Sequence, residues 1–228
     1  MKLIALAFSC LLAFSMPAHA GDADTFKAMV ALADKGNAEA QYHVGMMHNN
    51  GIGTPRDPKQ ALQWFQKSSD PLAAYKLGCY FDGQFAGTVT PDPNEALKYK
   101  LVAARAGYAL AQHDVALLYF RQGKPEEALK WWKMAGDQGH EKSLYSLSMA
   151  YSAGKGAPRD LSLSYAYFKL SKVAPKKNVN EMASTLSKPE LESAEKLVSG
   201  WRAKPTALTL TARNGIDRAE ELLKTAGN

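Results

Sequence analysis

The sequence predicts an all-α solenoid of about four helix-turn-helix repeats, closed by capping helices at both ends. Two observations carry this. The heptapeptide Gly51-Ile52-Gly53-Thr54-Pro55-Arg56-Asp57 returns 103 residues later as Gly154-Lys155-Gly156-Ala157-Pro158-Arg159-Asp160. That spacing is close to three periods of about 34 residues, the period of stacked helical arrays. Around these turns, large apolar residues recur at i, i+3 and i+4, the spacing of an amphipathic helix.

Taken in order, Met1–Ala20 reads as a secretory leader. Lys2 opens it, Leu3–Phe14 is almost wholly apolar, and Ala18-His19-Ala20 has the small-x-small form of a cleavage site. The apolar run is too short to anchor in a bilayer, and Gly21 is the expected mature start. Asp24–Lys35 reads as the second helix of an incomplete unit, an N-terminal cap. Four units follow near residues 37–70, 71–107, 108–139 and 140–175. Their first helices contain Ala40-Gln41-Tyr42, Ala73-Ala74-Tyr75, Ala111-Gln112-His113 and Ser143-Leu144-Tyr145. Their second helices contain Ala61-Leu62-Gln63-Trp64-Phe65, Ala96-Leu97-Lys98-Tyr99-Lys100, Ala128-Leu129-Lys130-Trp131-Trp132 and Ser164-Tyr165-Ala166-Tyr167-Phe168. One column, Gly45, Gly78, Ala116 and Ser148, is always small, as expected where two helices approach closely. Tyr42, Val44, Leu77, Val115, Leu147, Trp64, Trp131 and Tyr167 are expected to form the core.

The turns follow local chemistry. Gly51 and Gly53 supply positive φ where a helix ends. Asp57, Asp92 and Asp160 are N-caps, and Pro58 and Pro93 sit at the favoured first helical position. The third unit turns tightly through Gly123-Lys124-Pro125, whereas the second carries a longer loop, 82–91, expected to protrude. Beyond Pro175 the repeat stops. Lys176-Lys177-Asn178 reads as a polar break, followed by helices over 180–186 and 188–201. The second of these has an apolar stripe of Leu191, Ala194, Leu197, Val198 and Trp201. Residues 204–212 show no helical face and read as a linker or short extended piece, with a weak final helix over 217–226. Residues 176–228 together are expected to form the C-terminal cap and tail.

These motifs resemble the Sel1-like repeat family, relatives of the tetratricopeptide arrays. Ala40, Val44-Gly45, Gly51-x-Gly53, Asp57, Ala61 and Trp64-Phe65 carry the resemblance in the first unit. Leu147, Tyr151, Gly154-x-Gly156, Asp160 and Phe168 carry it in the fourth. His48, Ser68-Ser69 and the missing Gly-x-Gly of the third unit depart from the pattern. The resemblance implies a right-handed α/α superhelix used for protein–protein contact, with no catalytic residue set. Some exported members have been linked to binding or cleaving β-lactams, which keeps a β-lactam- or peptidoglycan-directed envelope protein as an alternative. Secretion toward a host cell is another.

Composition narrows the classes. Formal charge is +6, with acidic and basic residues interleaved, unlike the dense basic stripe of a nucleic-acid binder. Of the two cysteines, Cys10 falls in the leader and Cys79 is left without an internal disulfide partner. Cys79 has apolar neighbours and is expected to be a buried, inert thiol. The histidines lack zinc spacing, since His43 and His48 are five apart. No nucleophile elbow or phosphate-cradling glycine loop is present. The sequence therefore implies no enzyme activity, cofactor or metal, no nucleic-acid partner and no stable membrane insertion.

What remains is a non-enzymatic scaffold, exported to the bacterial envelope and most simply periplasmic, with a protein or peptide partner. A monomer is the expectation. First helices line the concave face in such arrays, so the candidate partner-binding residues are Tyr42, His43, Met46, Tyr75, Lys76, His113, Asp114 and Tyr145. The aligned aromatic column Tyr42, Tyr75, His113, Tyr145 has two readings: a sticky stripe for a partner, or packing of repeat on repeat.

Overall fold

The computed structural model describes residues 21–173 and 175–227, which form twelve helices and no strand. The leader expected over Met1–Ala20 lies outside the described residues. No described helix is long and apolar enough to cross a membrane. The chain divides into two compact units, one reaching to Ser68 and including Ala219 onward, the other Ser69–Arg218.

The first unit holds α1 (Asp22–Asp34), α2 (Ala38–Asn50) and α3 (Pro58–Lys67). Met29, Val44, Met47 and Phe65 are its fully buried large side chains. The repeated heptapeptide acquires a physical account here. Gly51 ends α2 in the left-handed conformation, φ 74°, and its N–H reaches the Met47 carbonyl at 2.8 Å. Gly53, φ 66°, has a different task, because a Cβ there would run into the Asp22 carbonyl and Phe26 of α1. Arg56 Nε donates to the Asn49 carbonyl at 3.0 Å, satisfying an orphan acceptor at the end of α2. Asp57 then accepts from the Lys59 and Gln60 amides, at 2.9 and 3.1 Å, and opens α3. Each of these positions is thus fixed by a separate contact.

The second unit repeats the pattern. It contains α4 (Pro71–Phe81), α5 (Pro93–Arg105), α6 (Ala109–Arg121), α7 (Pro125–Asp137), α8 (Glu141–Ala153), α9 (Leu161–Ser171), α10 (Lys176–Ala183) and α11 (Lys188–Gly200). The start of α12 (Ala207–Ala226) also belongs to it. Helices pair as α4–α5, α6–α7 and α8–α9, and α5 packs on α6 and α7 on α8. The second heptapeptide acts like the first: Gly154 is left-handed, Gly156 seats against Pro125 and Glu126 at the start of α7, and Arg159 Nε donates to the Ser152 carbonyl.

The small column is the seam of each hairpin. A Cβ on Gly45 would lie 2.5 Å from the Phe65 ring, and one on Gly78 2.7 Å from the Lys100 side chain. Ala116 is fully buried, and Ser148 Oγ lies 3.3 Å from Ser164 Oγ.

Several expectations are corrected. Trp64, Trp131 and Tyr167 are only half-buried; Phe65, Trp132 and Tyr165 take the core. Phe65 and Trp132 stand four residues after Ala61 and Ala128 and so share their inward face. In the last hairpin α11 covers α9 instead, burying Tyr165 and Ala166 against Ala194. The supposed polar break at 176–178 is the first turn of α10. Trp201 leaves the apolar stripe of α11: the helix stops at Gly200 and Trp201 is extended. Residues 204–212 are not simply a linker, because α12 already begins at Ala207. Gly215, at φ 52° and ψ −115°, interrupts it. Thr206 and Thr209 explain the early start. Thr209 Oγ1 accepts from the Ala109 N–H at 3.0 Å and donates to Gln138 Oε1 at 2.6 Å. Tyr108 offers α6 no side-chain cap, so Thr209 supplies one from a distant part of the chain.

Candidate binding surface

Most of the candidate residues prove to be packed. Tyr42 and His43 are buried in the first unit, and Tyr75 and His113 in the second. Met46 and Lys76 are half-buried. For the first three members of the aromatic column, packing is the role the geometry displays. Tyr75 meets Tyr108 edge-on at 5.0 Å, and Tyr42 lies 6.3 Å from Phe65. Tyr145 differs. It is 40% exposed, and Met149, one turn later, is 51% exposed.

Asp114 is committed to an internal network that sequence reasoning did not find. Its carboxylate lies 3.1 Å from Lys100 Nζ and accepts from the Tyr75 hydroxyl at 3.2 Å. Asp82 binds the same ammonium. The Lys100 side chain is only 2% exposed. It occupies the column that holds Phe65, Trp132 and Phe168 in the other repeats, and that substitution was the available signal. Burial alone would pull the Lys100 pKa down; Asp114, Cys79 and Asp82 outweigh it and hold the pKa above the ordinary lysine value. Cys79 is fully buried beside this network.

At the next junction a neutral network takes its place. Ser143 Oγ lies 2.9 Å from His113 Nδ1 and 3.0 Å from His140 Nδ1. His140 is the N-cap of α8, with Nδ1 accepting the Ser143 N–H at 3.3 Å. That fixes the pattern: the Ser143 hydroxyl donates to His140 Nδ1 and accepts from His113 Nδ1–H. Both rings are held neutral. Burial, then Lys142, lowers the His113 pKa to about 4; burial, then the neighbouring His113, lowers that of His140 to about 3. Ser143 is fully buried, out of reach of a substrate.

A groove of about 730 Å³, open to solvent, lies between α8, α9 and α10, with Tyr145, Met149, Phe168 and Met182 among its walls. Among the described residues, no group of three or more His, Cys, Asp or Glu side chains is placed to hold a metal ion.

Stacked helical hairpins joined by capped turns define an α-solenoid repeat protein. Residues 38–70, 71–108, 109–140 and 142–171 match the Sel1 repeat, and the chain belongs to that family. Sel1 repeat proteins generally act in protein–protein interaction, and the fold is typically a non-catalytic scaffold. The chain is 26% identical over 176 residues to DAP3-binding cell death enhancer 1 of Rattus norvegicus, covering 75% of this chain and 35% of that protein. It is 31% identical over 127 residues to the putative sel1-like repeat-containing protein L21 of Acanthamoeba polyphaga mimivirus, covering 54% and 23% respectively. It therefore spans roughly a third to a quarter of the length of these relatives. A crystal structure of a Sel1 repeat protein from Oxalobacter formigenes aligns with a TM-score of 0.59 at 21% identity, covering 86% of this chain and 76% of that one. That likeness shows the fold.

Proposed function

We propose that this chain is an exported, non-enzymatic scaffold of the bacterial cell envelope that binds a protein or peptide partner along the surface of its first helices. The observation that carries the reading is an exposed aromatic in an otherwise buried column. Four consecutive Sel1 repeats bury Tyr42, Tyr75 and His113, while Tyr145 stands open at the edge of a groove. Exposed large apolar side chains gathered in one concavity mark interaction sites. The name of the rat relative specifies binding to a protein, which supports the same class of activity. The envelope location rests on the leader pattern of Met1–Ala20.

Lys76 and Tyr145 remain candidates for reading the partner; Asp114 is better assigned to the stability of the fold, since it holds Lys100. The test is affinity capture from envelope extract with the purified protein and two variants. Lys76→Glu with Tyr145→Ala should reduce retention of the partner. Lys98→Ala with Lys130→Ala, which removes exposed pairs to Glu95 and Glu127 on the second helices, should not. Retention unaffected by the first variant and abolished by the second would overturn the first-helix assignment. Fractionation tests the location: recovery in the culture medium alone would replace the periplasmic reading with a secreted one.

A further inference from the structure

The α8–α9 hairpin presents a face that is covered at the preceding junction of the same unit. On α6–α7 that face includes Ala116, Leu117, Ala128, Leu129 and Trp132, and α8 lies on it with Leu147, Ala150 and Tyr151. Those three residues have i, i+3, i+4 spacing, one helical face. His113 completes the surface by bonding Ser143 in the first turn of α8. Column by column, the same face on α8–α9 is Tyr145, Ser148, Met149, Ser164, Tyr165 and Phe168, and all but Tyr165 line the groove. Its apolar, small and aromatic positions are kept. Its covering helix is kept only along the Tyr165 edge, because α11 packs on the Tyr165–Ala166 side of α9 and α10 stands beside the groove with Met182.

We propose that this groove receives an amphipathic helix of a partner protein, seated in the register that α8 uses on α6–α7. The inference rests on the scaffold reading and names the kind of partner. The template sets the chemistry of the incoming face: a large aliphatic residue, a small residue three positions on, and an aromatic at the fourth. The small position is required by the floor, where Ser148 and Ser164 are both buried and their hydroxyls are 3.3 Å apart. Orientation follows as well. The first turn of α8 meets the first half of α6 through Ser143 and His113, so the seated helix runs parallel to α8. Its last turn then comes to Arg159, whose Nε is tied to the Ser152 carbonyl at the end of α8. A guanidinium there complements the unpaired carbonyls of a helix C-terminus. A second copy of this chain is disfavoured as the occupant. The matching residues of its α2, Val44 and Met47, are already buried in its own first unit.

The test uses a fluorescent, helix-stabilised peptide with the sequence of α8, Glu141–Ala153, titrated with the purified protein and followed by anisotropy. Saturable binding is expected. A peptide of the same composition, with Leu and Tyr moved to opposite faces, should not bind. Met149→Lys should weaken binding about tenfold or more, as expected for a charge placed in the centre of an apolar contact. Met134→Lys, at an exposed methionine of α7 outside the groove, should leave it unchanged. Equal binding of the rearranged peptide, or indifference to Met149→Lys, overturns the seat. Self-association lost in Met149→Lys overturns the assignment to a different protein. An envelope partner retained equally by wild type and Met149→Lys overturns the seat and leaves the scaffold reading standing. Peptide binding with no envelope partner retained does the reverse.

Discussion

Lys100 and Asp114 meet at 3.1 Å across the junction between the second and third repeats, one on a second helix and the other on the next first helix. The neighbouring hairpins fill the lysine's position with an aromatic ring. A charge in that slot is tolerated because Asp82 and Tyr75 complete the network. Such a buried pair adds little net stability even where its geometry is good.

Removing the ammonium should therefore cost more than the pair contributes. Lys100→Met is expected to destabilise by about 3 kcal/mol, the lower end for breaking a buried pair. The low end applies because Asp82 and Asp114 keep 24% and 12% side-chain exposure to water. Lys100→Phe combined with Asp82→Ser and Asp114→Ala should recover most of the loss. Urea denaturation midpoints decide; a Lys100→Met midpoint equal to wild type would mean the network carries no charge.

The His113–Ser143–His140 network predicts acid sensitivity with a defined sign. Both folded pKa values are depressed, to about 4 and about 3, below the ordinary value of 6.5. The unfolded chain thus binds more protons between these limits. The contribution is complete above pH 6.5 and is lost as pH falls through the folded values. For His113 alone it is about 3 kcal/mol. His113→Asn should lower stability at pH 7 and flatten its fall between pH 6.5 and 4. An unchanged slope would place the acid sensitivity elsewhere.

Gly45 is predicted to tolerate nothing larger. Gly45→Ala puts a methyl 2.5 Å from the Phe65 ring and should cost about 1–3 kcal/mol, with Gly45→Leu worse. Phe65→Leu in the same chain should make the alanine change less costly than it is alone, since residues in contact couple. Thermal unfolding of the four-member cycle measures this, and strict additivity would mean the seam is not formed as described.

Thr209→Val preserves shape and removes the hydroxyl that Ala109 and Gln138 share. It should lower stability by about 1–3 kcal/mol, the cost of leaving buried polar groups unpaired. Thr209→Ser should retain most of it. Amide exchange at Ala109 is the direct readout: protection should fall in the valine variant and persist in the serine one.

The parts of the fold legible in the sequence are those governed by neighbours in the chain. The Gly-x-Gly turns, the Asp caps and the small column follow from chemistry within a few residues, and the structure has them in place. Lys100 was not legible as a core residue, because its partners lie 18 and 14 positions away and a lysine beside exposed Lys98 reads as solvated. The early start of α12 was hidden by Leu208-Thr209-Leu210-Thr211, which alternates like a strand. Its helicity depends on contacts with Gly107 and Gln138, remote in sequence. Of the candidate surface, the aromatic column was visible. Which of its members stays exposed was not, since that depends on where α10 and α11 go after the repeat ends.

The hydroxyl that closes the first turn of α6 comes from a residue 100 positions further along the chain. A ribosome delivers the third repeat long before its cap. Until Thr209 arrives, Ala109 and Gln138 must rely on water, and the middle of the array stays less settled than its own sequence suggests. Completion of the third repeat is thus timed by the arrival of Thr209, and a chain cut short before that residue would leave the start of α6 uncapped.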